Sequence, residues 1–371
     1  MAHSFMNKPQ TQEYSMFKKS IFSFAVLAIP MAFPVVSLAS HHDLIHEEDT
    51  SNDVASTERT AISVQRVTAG AAGQLINMRF NPLFNLKDFP SPGSSSAAIL
   101  PQGFISLAAG EQTMGVSTWA NLGYNKIEDD FVLTAYDGSS TTGAIGADYQ
   151  LNSKLTAGIS LNFSDTDIDT VFNSGNSQTD GFTFMPYANF KVNDWLSVDV
   201  SAGHAWNETK NRRIEFGSLV TGSQDSDGWI VAGNLNAQKW FNQMFASARA
   251  GLMYNQDERS SFTESNGTVN LGQTNELVQA NIGGSIGYWA APFMPSLSLT
   301  YTNDLDREDQ FILGGGAQPA NDNDGLTVGL GCSFYGSEKI QGLSMTLSLT
   351  SELLREDLTN NGISFNMRYG F

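Results

Sequence analysis

Histidine is scarce in this sequence, which limits the chemistry that the chain can perform. Only His204 lies in a region with a regular hydrophobic pattern, whereas His41, His42 and His46 share one short polar stretch. A serine or cysteine nucleophile needs a histidine base that is held in place. The motifs of serine hydrolases, zinc proteases and phosphate-binding loops are missing from the sequence. We therefore expect no enzymatic activity, no catalytic residue and no bound cofactor.

Two groups of residues could in principle bind a metal. His41, His42 and His46 precede Glu47, but ligands on a flexible stretch hold metals weakly and unselectively. The second group consists of carboxylates near the C-terminal end that could take calcium or bridge lipopolysaccharide through divalent ions: Asp304, Asp306, Glu308, Asp309, Asp322 and Asp324. Solvated loop charge explains these carboxylates more simply, and we expect no metal site.

Composition and charge exclude several classes of protein. The net charge is −18, and the body of the chain has no cluster of Lys and Arg, so we expect no nucleic-acid partner. Cys332 is the single cysteine, which excludes an internal disulfide. No apolar run after residue 40 is long enough for a membrane-spanning helix.

The N-terminal region has the pattern of a secretory signal. Lys18 and Lys19 precede the apolar stretch 20–36, and small residues follow up to Ala39. We predict cleavage between Ala39 and Ser40. The signal region then covers residues 1–39.

The polar residues before the signal core leave two possible start sites. Residues 1–15 fit no part of a signal, so that Met16 is an alternative start and 16–39 is the core. Residues 40–55 are acidic and too few to bury a core, which predicts a disordered tail.

Residues 56–80 have features of a slim helix with a basic stripe. Small alanines keep one side narrow, and Arg59 and Arg66 are seven residues apart and so share a face, with Arg79 further round. Such a helix suits a narrow polar channel, and an ordinary surface helix is the alternative. The Pro, Gly and Ser residues of 81–114 then predict a linker.

From residue 115 onward the chain alternates apolar with small or polar residues, the period-two pattern of strands. The clearest case is the final segment, in which Ile363, Phe365 and Met367 alternate with Ser364 and Asn366. About twelve such segments are predicted: 115–127, 141–149, 155–164, 179–190, 195–206, 228–240, 245–254, 277–289, 296–302, 326–335, 340–351 and 362–371. The polar face is mostly Ser, Thr, Asn and Gly instead of Lys and Glu, which favours an all-β membrane barrel over a soluble sandwich.

The connections between the predicted strands alternate between short and long. Long polar stretches are predicted at 128–140, 165–178, 208–227, 256–276, 303–324 and 353–361, with short turns between them. Short periplasmic turns and long external loops produce this rhythm, so we expect the C-terminus in the periplasm. Trp195, Trp240 and Trp289 flank short turns and Trp206 and Trp229 flank a long loop, which predicts two interfacial aromatic girdles. Proline is poor in paired strands, so Pro186 weakens the fourth segment.

The chain from about residue 56 to the end resembles the β-domain of autotransporters, the type V secretion family. Three stretches carry the resemblance: Gly146-Ala147-Asp148-Tyr149 with the strand from Leu155 to Ser160, Trp195 to Trp206, and the ending Met367-Arg368-Tyr369-Gly370-Phe371. The resemblance implies that Tyr369 and Phe371 form the signal read by the barrel-assembly machinery. It also implies that the helix 56–80 occupies the lumen, where we expect its arginines near inward carboxylates such as Asp148 and Asp199.

Two functions remain open after these expectations. The first is an autotransporter-type barrel that translocates or displays a very short passenger, since only about 40–55 remains where family members have long repeat-rich passengers. The second is a barrel that acts as an adhesin, structural protein or pore through its external loops. In both cases we expect a monomer in the outer membrane, with membrane lipid, lipopolysaccharide, the assembly machinery and periplasmic chaperones as partners.

Overall fold

The computed structural model describes residues 115–131, 135–307, 322–336 and 342–371. Among these residues, no helix is long and apolar enough to cross a membrane. The signal region, the tail, the predicted helix 56–80 and the linker 81–114 lie outside them.

Fourteen strands follow one another within the described residues. They are β1 (Val116–Asp129), β2 (Tyr136–Gln150), β3 (Leu155–Thr170), β4 (Gly175–Lys191), β5 (Leu196–Glu215), β6 (Ser218–Phe241), β7 (Met244–Arg259), β8 (Phe262–Thr263), β9 (Val269–Asn270), β10 (Gln273–Tyr288), β11 (Phe293–Arg307), β12 (Asp324–Tyr335), β13 (Leu343–Leu353) and β14 (Leu358–Gly370). The strands β8 and β9 form a small separate ribbon. The other twelve pair with their neighbours, and β14 pairs antiparallel with β1, which closes the barrel.

The barrel has two different ends. At one end lie the connections 151–154, 192–195, 242–243, 289–292 and 336–342, together with the start of β1 and the end of β14. We call this end the short-turn rim. At the other end lie the connections 130–135, 171–174, 216–217, 260–272, 308–323 and 354–357, and we call it the long-loop rim. Successive connections therefore alternate between the two rims, as predicted, but those at the long-loop rim are not all long, since 171–174, 216–217 and 354–357 have four residues or fewer.

Asparagine side chains fix two of the short turns locally. The Oδ1 atom of Asn152 accepts hydrogen bonds from the backbone N–H groups of Lys154 and Leu155, at 2.8 and 2.9 Å. Asn193 does the same for Trp195 and Leu196, at 2.9 Å each. An asparagine that accepts bonds from residues two and three positions ahead bends the chain without help from the rest of the fold.

Several strands are longer than the sequence pattern predicted. β3 runs to Thr170, and the connection between β5 and β6 is only Phe216 and Gly217, so the loops predicted at 165–178 and 208–227 are mostly strand. The apolar alternation ends before the strands do, because outward positions near the long-loop rim are charged. In β3 these positions are Asp165, Asp167 and Asp169.

Pro186 lies inside β4 and interrupts the hydrogen-bond ladder between β4 and β5. It lies opposite Ile159 of β3, while the β4–β5 pairing is interrupted between the pairs Phe184↔His204 and Tyr187↔Ser201. Proline has no N–H group to donate, so that the ladder loses a bond there without a change of register.

The distribution of side chains across the wall is the reverse of that in a soluble protein. Outward residues such as Leu122, Ile282 and Leu330 are large, apolar and about 60% exposed (62%, 60% and 59%). Inward residues such as Ser117 and Asn121 are polar and buried. The outer surface is therefore an apolar band, and the inner surface is a polar wall around the lumen.

Candidate functional site

The lumen wall carries small polar residues together with a few charges. Its buried polar side chains include Ser160, Thr183, Ser201 and Asn234. Arginines on this inward side have carboxylate neighbours, so the wall neutralises much of its own charge: Arg213 with Glu264, Arg249 with Asp199, Arg259 with Asp257, Arg307 and Arg355 with Asp304, and Arg368 with Asp148. Charged groups on a lumen wall would meet any chain or solute that passes through it.

Asp148 lies at the centre of a network that spans the seam between the first and last strands. Ser117 donates to Asp148 at 2.7 Å, and Arg368 donates to Ser117 at 3.0 Å while its guanidinium lies 3.9 Å from Asp148. Tyr187 donates to the second carboxylate oxygen of Asp148 at 3.3 Å, and the Trp119 indole donates to Tyr187 at 2.7 Å. The network therefore joins β1, β2, β4 and β14 on the lumen side.

Two glycines make room for the aromatic members of this network. A Cβ atom at Gly146 would lie 2.4 Å from the Trp119 ring, and one at Gly158 would lie 2.5 Å from the Tyr187 ring. Real Cβ atoms do not approach neighbouring atoms so closely. Each ring thus lies flat over a neighbouring strand because the residue beneath it has no side chain.

Asp199, three strands further round the barrel, has its own set of partners in the lumen wall. Asn234 donates to one carboxylate oxygen at 2.7 Å, and Asn236 donates to the other. Arg249 interacts electrostatically with Asp199 and donates to Asn281 at 3.2 Å. Asp148 and Asp199 both face the lumen, as predicted, and both have partners in the wall itself. Their contact with Arg59, Arg66 and Arg79 stays a prediction, since those arginines lie outside the described residues.

A bulge in β11 builds a buried ionic cluster at the long-loop rim. The register of the β10–β11 pair shifts so that Leu305 has no partner, and Arg307 consequently falls on the inward side with Asp304. Asp304 accepts hydrogen bonds from Gln279 at 2.9 Å and from Arg355 at 3.3 Å. We call Asp304, Arg307, Glu352 and Arg355 the ionic cluster.

Arg355 ties the β13–β14 connection into this cluster. Its guanidinium donates to Glu352 at 2.8 Å and to the backbone carbonyl of Asp322 at 2.9 Å. Burial alone would lower the pKa of Arg355, but the Glu352 and Asp304 carboxylates outweigh it and raise the pKa above its ordinary value. The arginine therefore stays charged and keeps the connection folded over the wall.

The β7–β10 connection also folds onto the lumen side, against the β5–β6 hairpin. Arg213 of β5 donates to Glu264 of the connection at 2.8 Å and to Glu215 at 3.0 Å. A Cβ atom at Gly222 would lie 2.5 Å from the Phe262 ring, so the ring packs directly on β6. Neither contact could be predicted from the sequence, because the partners are more than 35 residues apart and have no shared pattern.

The short-turn rim has an apolar cluster on its lumen side. Phe245, Met294 and Tyr335 are buried together, with Trp240 and Trp289 packed against them. The prediction that Trp240 and Trp289 belong to an outer girdle is therefore wrong. Outward residues of β6 have odd numbers and those of β10 even numbers in these stretches, so Trp240 and Trp289 face inward. We call these five residues the aromatic cluster.

The other three tryptophans of the predicted girdles lie on the outer surface, as predicted. Trp195 is at the short-turn rim, and Trp206 and Trp229 lie towards the long-loop rim, each about half exposed. His204 lies between the rings of Trp206 and Trp229, with centroid distances of 4.5 and 4.6 Å, and 3.2 Å from Asp227. Its environment is that of a girdle residue.

The other predicted site residues are placed as follows. Tyr369 and Phe371 lie on the outer surface at the short-turn rim, with their rings 4.9 Å apart, and the Phe371 N–H donates to the Val116 carbonyl at 3.1 Å. Their role in assembly stays a prediction. The cleavage site Ala39 and Ser40 lies outside the described residues. Within the parts of the chain that the structure describes, no group of His, Cys, Asp and Glu is arranged to hold a metal ion.

A closed antiparallel barrel with an apolar exterior and a polar lumen defines a transmembrane β-barrel. The family model of the autotransporter beta-domain matches residues 118–342, and the chain belongs to this family of outer-membrane transport domains.

Several solved structures share this fold. The translocator domain of the autotransporter NalP from Neisseria meningitidis has a TM-score of 0.59 and 13% identity, over 71% of this chain and 91% of that one. The β-domain of the Bordetella autotransporter BrkA has a TM-score of 0.57 and 16% identity, over 68% and 98%. The transport unit of AIDA-I from Escherichia coli has a TM-score of 0.53 and 12% identity, over 71% and 92%. No curated protein sequence matches the chain.

Proposed function

We propose that this barrel translocates a short N-terminal segment through its lumen and displays it on the cell surface. The observation that carries the proposal is that β1 begins, and β14 ends, at the short-turn rim, where Ser117 lies opposite Gly370. If that rim faces the periplasm, residues before 115 can reach the surface only along the polar lumen or through lipid. The lumen is favoured because lipid satisfies no backbone hydrogen bonds.

The lumen wall supports this role. The inward carboxylates Asp148 and Asp199 lie on separate parts of the wall, where the arginines Arg59, Arg66 and Arg79 of the predicted helix would pass between them. Outer-membrane lipid and lipopolysaccharide would surround the apolar band of a single barrel. The periplasmic chaperones and the assembly machinery would act on the unfolded chain through Tyr369 and Phe371.

Epitope tags placed by the structure test both orientation and display. Tags at 43–49, in the 171–174 connection and in the 192–195 connection are probed with antibody on intact cells, and a heated and unheated gel-mobility comparison checks folding. We expect labelling of the first two tags and not of the third. Labelling of the 192–195 tag alone would show that the barrel has the opposite orientation in the membrane. A tag at 43–49 reached only after permeabilisation, with 171–174 labelled, would contradict display.

Deletion of residues 56–80 tests occupation of the lumen. We expect the deleted barrel to conduct more than the parent in planar bilayers, since a polar channel is then left open. Unchanged conductance, with heat-modifiable mobility retained, would contradict occupation by this segment.

A second candidate function is binding through the long-loop rim, as an adhesin, structural protein or pore. The projection of β5 and β6 beyond their neighbours favours it. To test this function, the hairpin is shortened so that β5 ends at Arg212 and β6 begins at Thr221, and the barrel is checked for folding. If the loops bind, the shortened protein should lose the surface phenotype. A phenotype that is retained would count against it.

A further inference from the structure

The hairpin of β5 and β6 projects beyond the rest of the barrel wall. The last pair of β6 with β7 is Ser226↔Arg259, so the eight residues 218–225 extend past β7. At about 3.3 Å per residue this is about 26 Å along the strand. On the other side, the last pair of β4 with β5 is Asn176↔Arg212. Beyond these pairs the hairpin is flanked by connections, because the Ile214 N–H donates to the Asn173 carbonyl at 3.1 Å and the Ser265 N–H donates to the Thr221 carbonyl at 2.8 Å. Only the tip, residues 215–220, extends past both of these contacts.

The residue at the tip is not the one that the turn favours. Phe216 and Gly217 have φ values of 48° and 78°, the left-handed conformations of a two-residue type I′ turn. Such turns favour Asn-Gly, and a bulky residue at positive φ costs about 1–2 kcal/mol. The two-residue turn at the opposite rim has Asn242 at a φ of 56°, as the conformation prefers. Phe216 is also fully exposed, so packing does not explain it either.

Apolar and basic residues share the outward face of the hairpin near its tip. Ile214 and Leu219 are paired with each other and are 46% and 61% exposed. Behind them on the same face come Arg212 and then Lys210, both exposed. The Lys210 ammonium lies 3.3 Å from the Glu208 carboxylate, and Asp225 lies opposite Glu208, further back towards the barrel. A protein with a net charge of −18 thus presents a cationic, apolar tip.

The opposite face of the hairpin is anchored, which holds the tip in place. Val220 is buried, and Phe262 packs on β6 at Gly222. The ion pair between Arg213 and Glu264 ties β5 to the same connection. The outward face is therefore held in place before it binds, so that binding costs little conformational entropy.

We propose that this tip inserts into an anionic phospholipid bilayer other than the one that the barrel spans. Phe216, Ile214 and Leu219 enter the boundary between headgroups and acyl chains, which an interfacial element penetrates to about 5–10 Å. Arg212 lies two residues before Ile214, about 7 Å further from the tip, and so meets the phosphate groups. Lys210 lies behind it. Charge complementarity selects an anionic surface, since a purely apolar protein pocket would not use the two cations. The proposal is independent of passenger translocation.

Vesicle co-flotation tests the proposal. The full chain is held in nanodiscs of phosphatidylcholine and mixed with liposomes of either phosphatidylcholine alone or phosphatidylcholine with about one third phosphatidylglycerol. We expect flotation with the anionic liposomes only. Phe216→Asn should weaken this binding at least tenfold while it keeps the turn, because Asn-Gly suits a type I′ turn. The double variant Lys210→Gln and Arg212→Gln should remove the dependence on anionic lipid and on salt.

Leu354→Asn is the matched control. Leu354 is also apolar, 62% exposed and at a φ of 72° on the long-loop rim, but the adjacent arginine, Arg355, is buried in the ionic cluster. Its replacement should leave flotation unchanged. The proposal is overturned if the parent does not float with anionic liposomes, if it floats equally with neutral ones, or if Phe216→Asn binds as the parent does with heat-modifiable mobility intact.

Discussion

The two rims of the barrel both carry buried clusters on the lumen side, but the clusters are of opposite chemical character. The short-turn rim has the aromatic cluster, in which Phe245 and Tyr335 are buried. The long-loop rim has the ionic cluster around Asp304. Two of the turns at the short-turn rim are fixed by their own asparagine hydrogen bonds. At the long-loop rim the connections 260–272 and 354–357 are instead attached to the wall by directional ion pairs, through Glu264 and Arg355.

The largest expected effect comes from breaking the ionic cluster. Asp304→Ala removes the carboxylate shared by Arg307 and Arg355, whose side chains are both 4% exposed. Removal of one partner from a buried ion pair typically costs about 3–5 kcal/mol. We expect a loss of this size in the free energy of unfolding, measured in urea with the barrel in detergent micelles.

Asp306→Ala is the control for this change. Asp306 is two residues away, exposed and on the outward side, and its replacement should change stability by no more than about 0.5 kcal/mol. Equal losses for the two variants would show that the ionic cluster does not stabilise the long-loop rim.

Removal of the central ring of the aromatic cluster should have a slightly smaller effect. Phe245→Ala empties the space that Met294 and Trp240 contact, and buried Phe→Ala changes cost about 3–5 kcal/mol. We expect the low end of this range, because the lumen allows the cluster to relax. Phe293→Ala at the same rim is the control, since Phe293 is half exposed on the outer surface. An unfolding energy lowered equally by both changes would contradict the inward cluster.

A smaller loss should follow from adding one methyl group beneath Trp119. In Gly146→Ala the new Cβ atom meets a ring that is held by its hydrogen bond to Tyr187, and overpacking of this kind costs about 1–3 kcal/mol. Gly143→Ala in the same strand is the control, because its Cβ atom would meet only Leu122 at an ordinary 3.6 Å. The measurement is the temperature at which each variant loses the gel mobility of the folded barrel. Equal temperatures for the two variants would disprove the close packing of Trp119.

The smallest effect should have the opposite sign. Phe216→Asn relieves the left-handed strain at the hairpin tip and buries nothing, so we expect a gain in the free energy of unfolding of about 1 kcal/mol or less. Phe216→Ala, which keeps an unfavourable residue at positive φ, should show no such gain. A loss of stability with Asn would mean that the Phe216 ring has a packing role in the folded barrel.

The sequence by itself determined the wall of the barrel. Alternation along each strand is a local property with a period of two, so that it predicted the strand number, the apolar outer face and the closing strand with Phe371. It also placed Asp148 and Asp199 on the inward side. The same parity, counted from Val231, places Trp240 on the inward side, whereas its position beside a turn wrongly suggests the outer girdle.

Only the tertiary structure decided what the inward residues and the connections contact. One unpaired residue, Leu305, reverses the parity of β11 and brings Arg307 onto the same face as Asp304. The pairs Arg355 with Asp304 and Arg213 with Glu264 each join residues 51 positions apart. Such contacts follow from strand register and from the return of a connection over the wall, and a pattern that repeats every two residues contains information on neither.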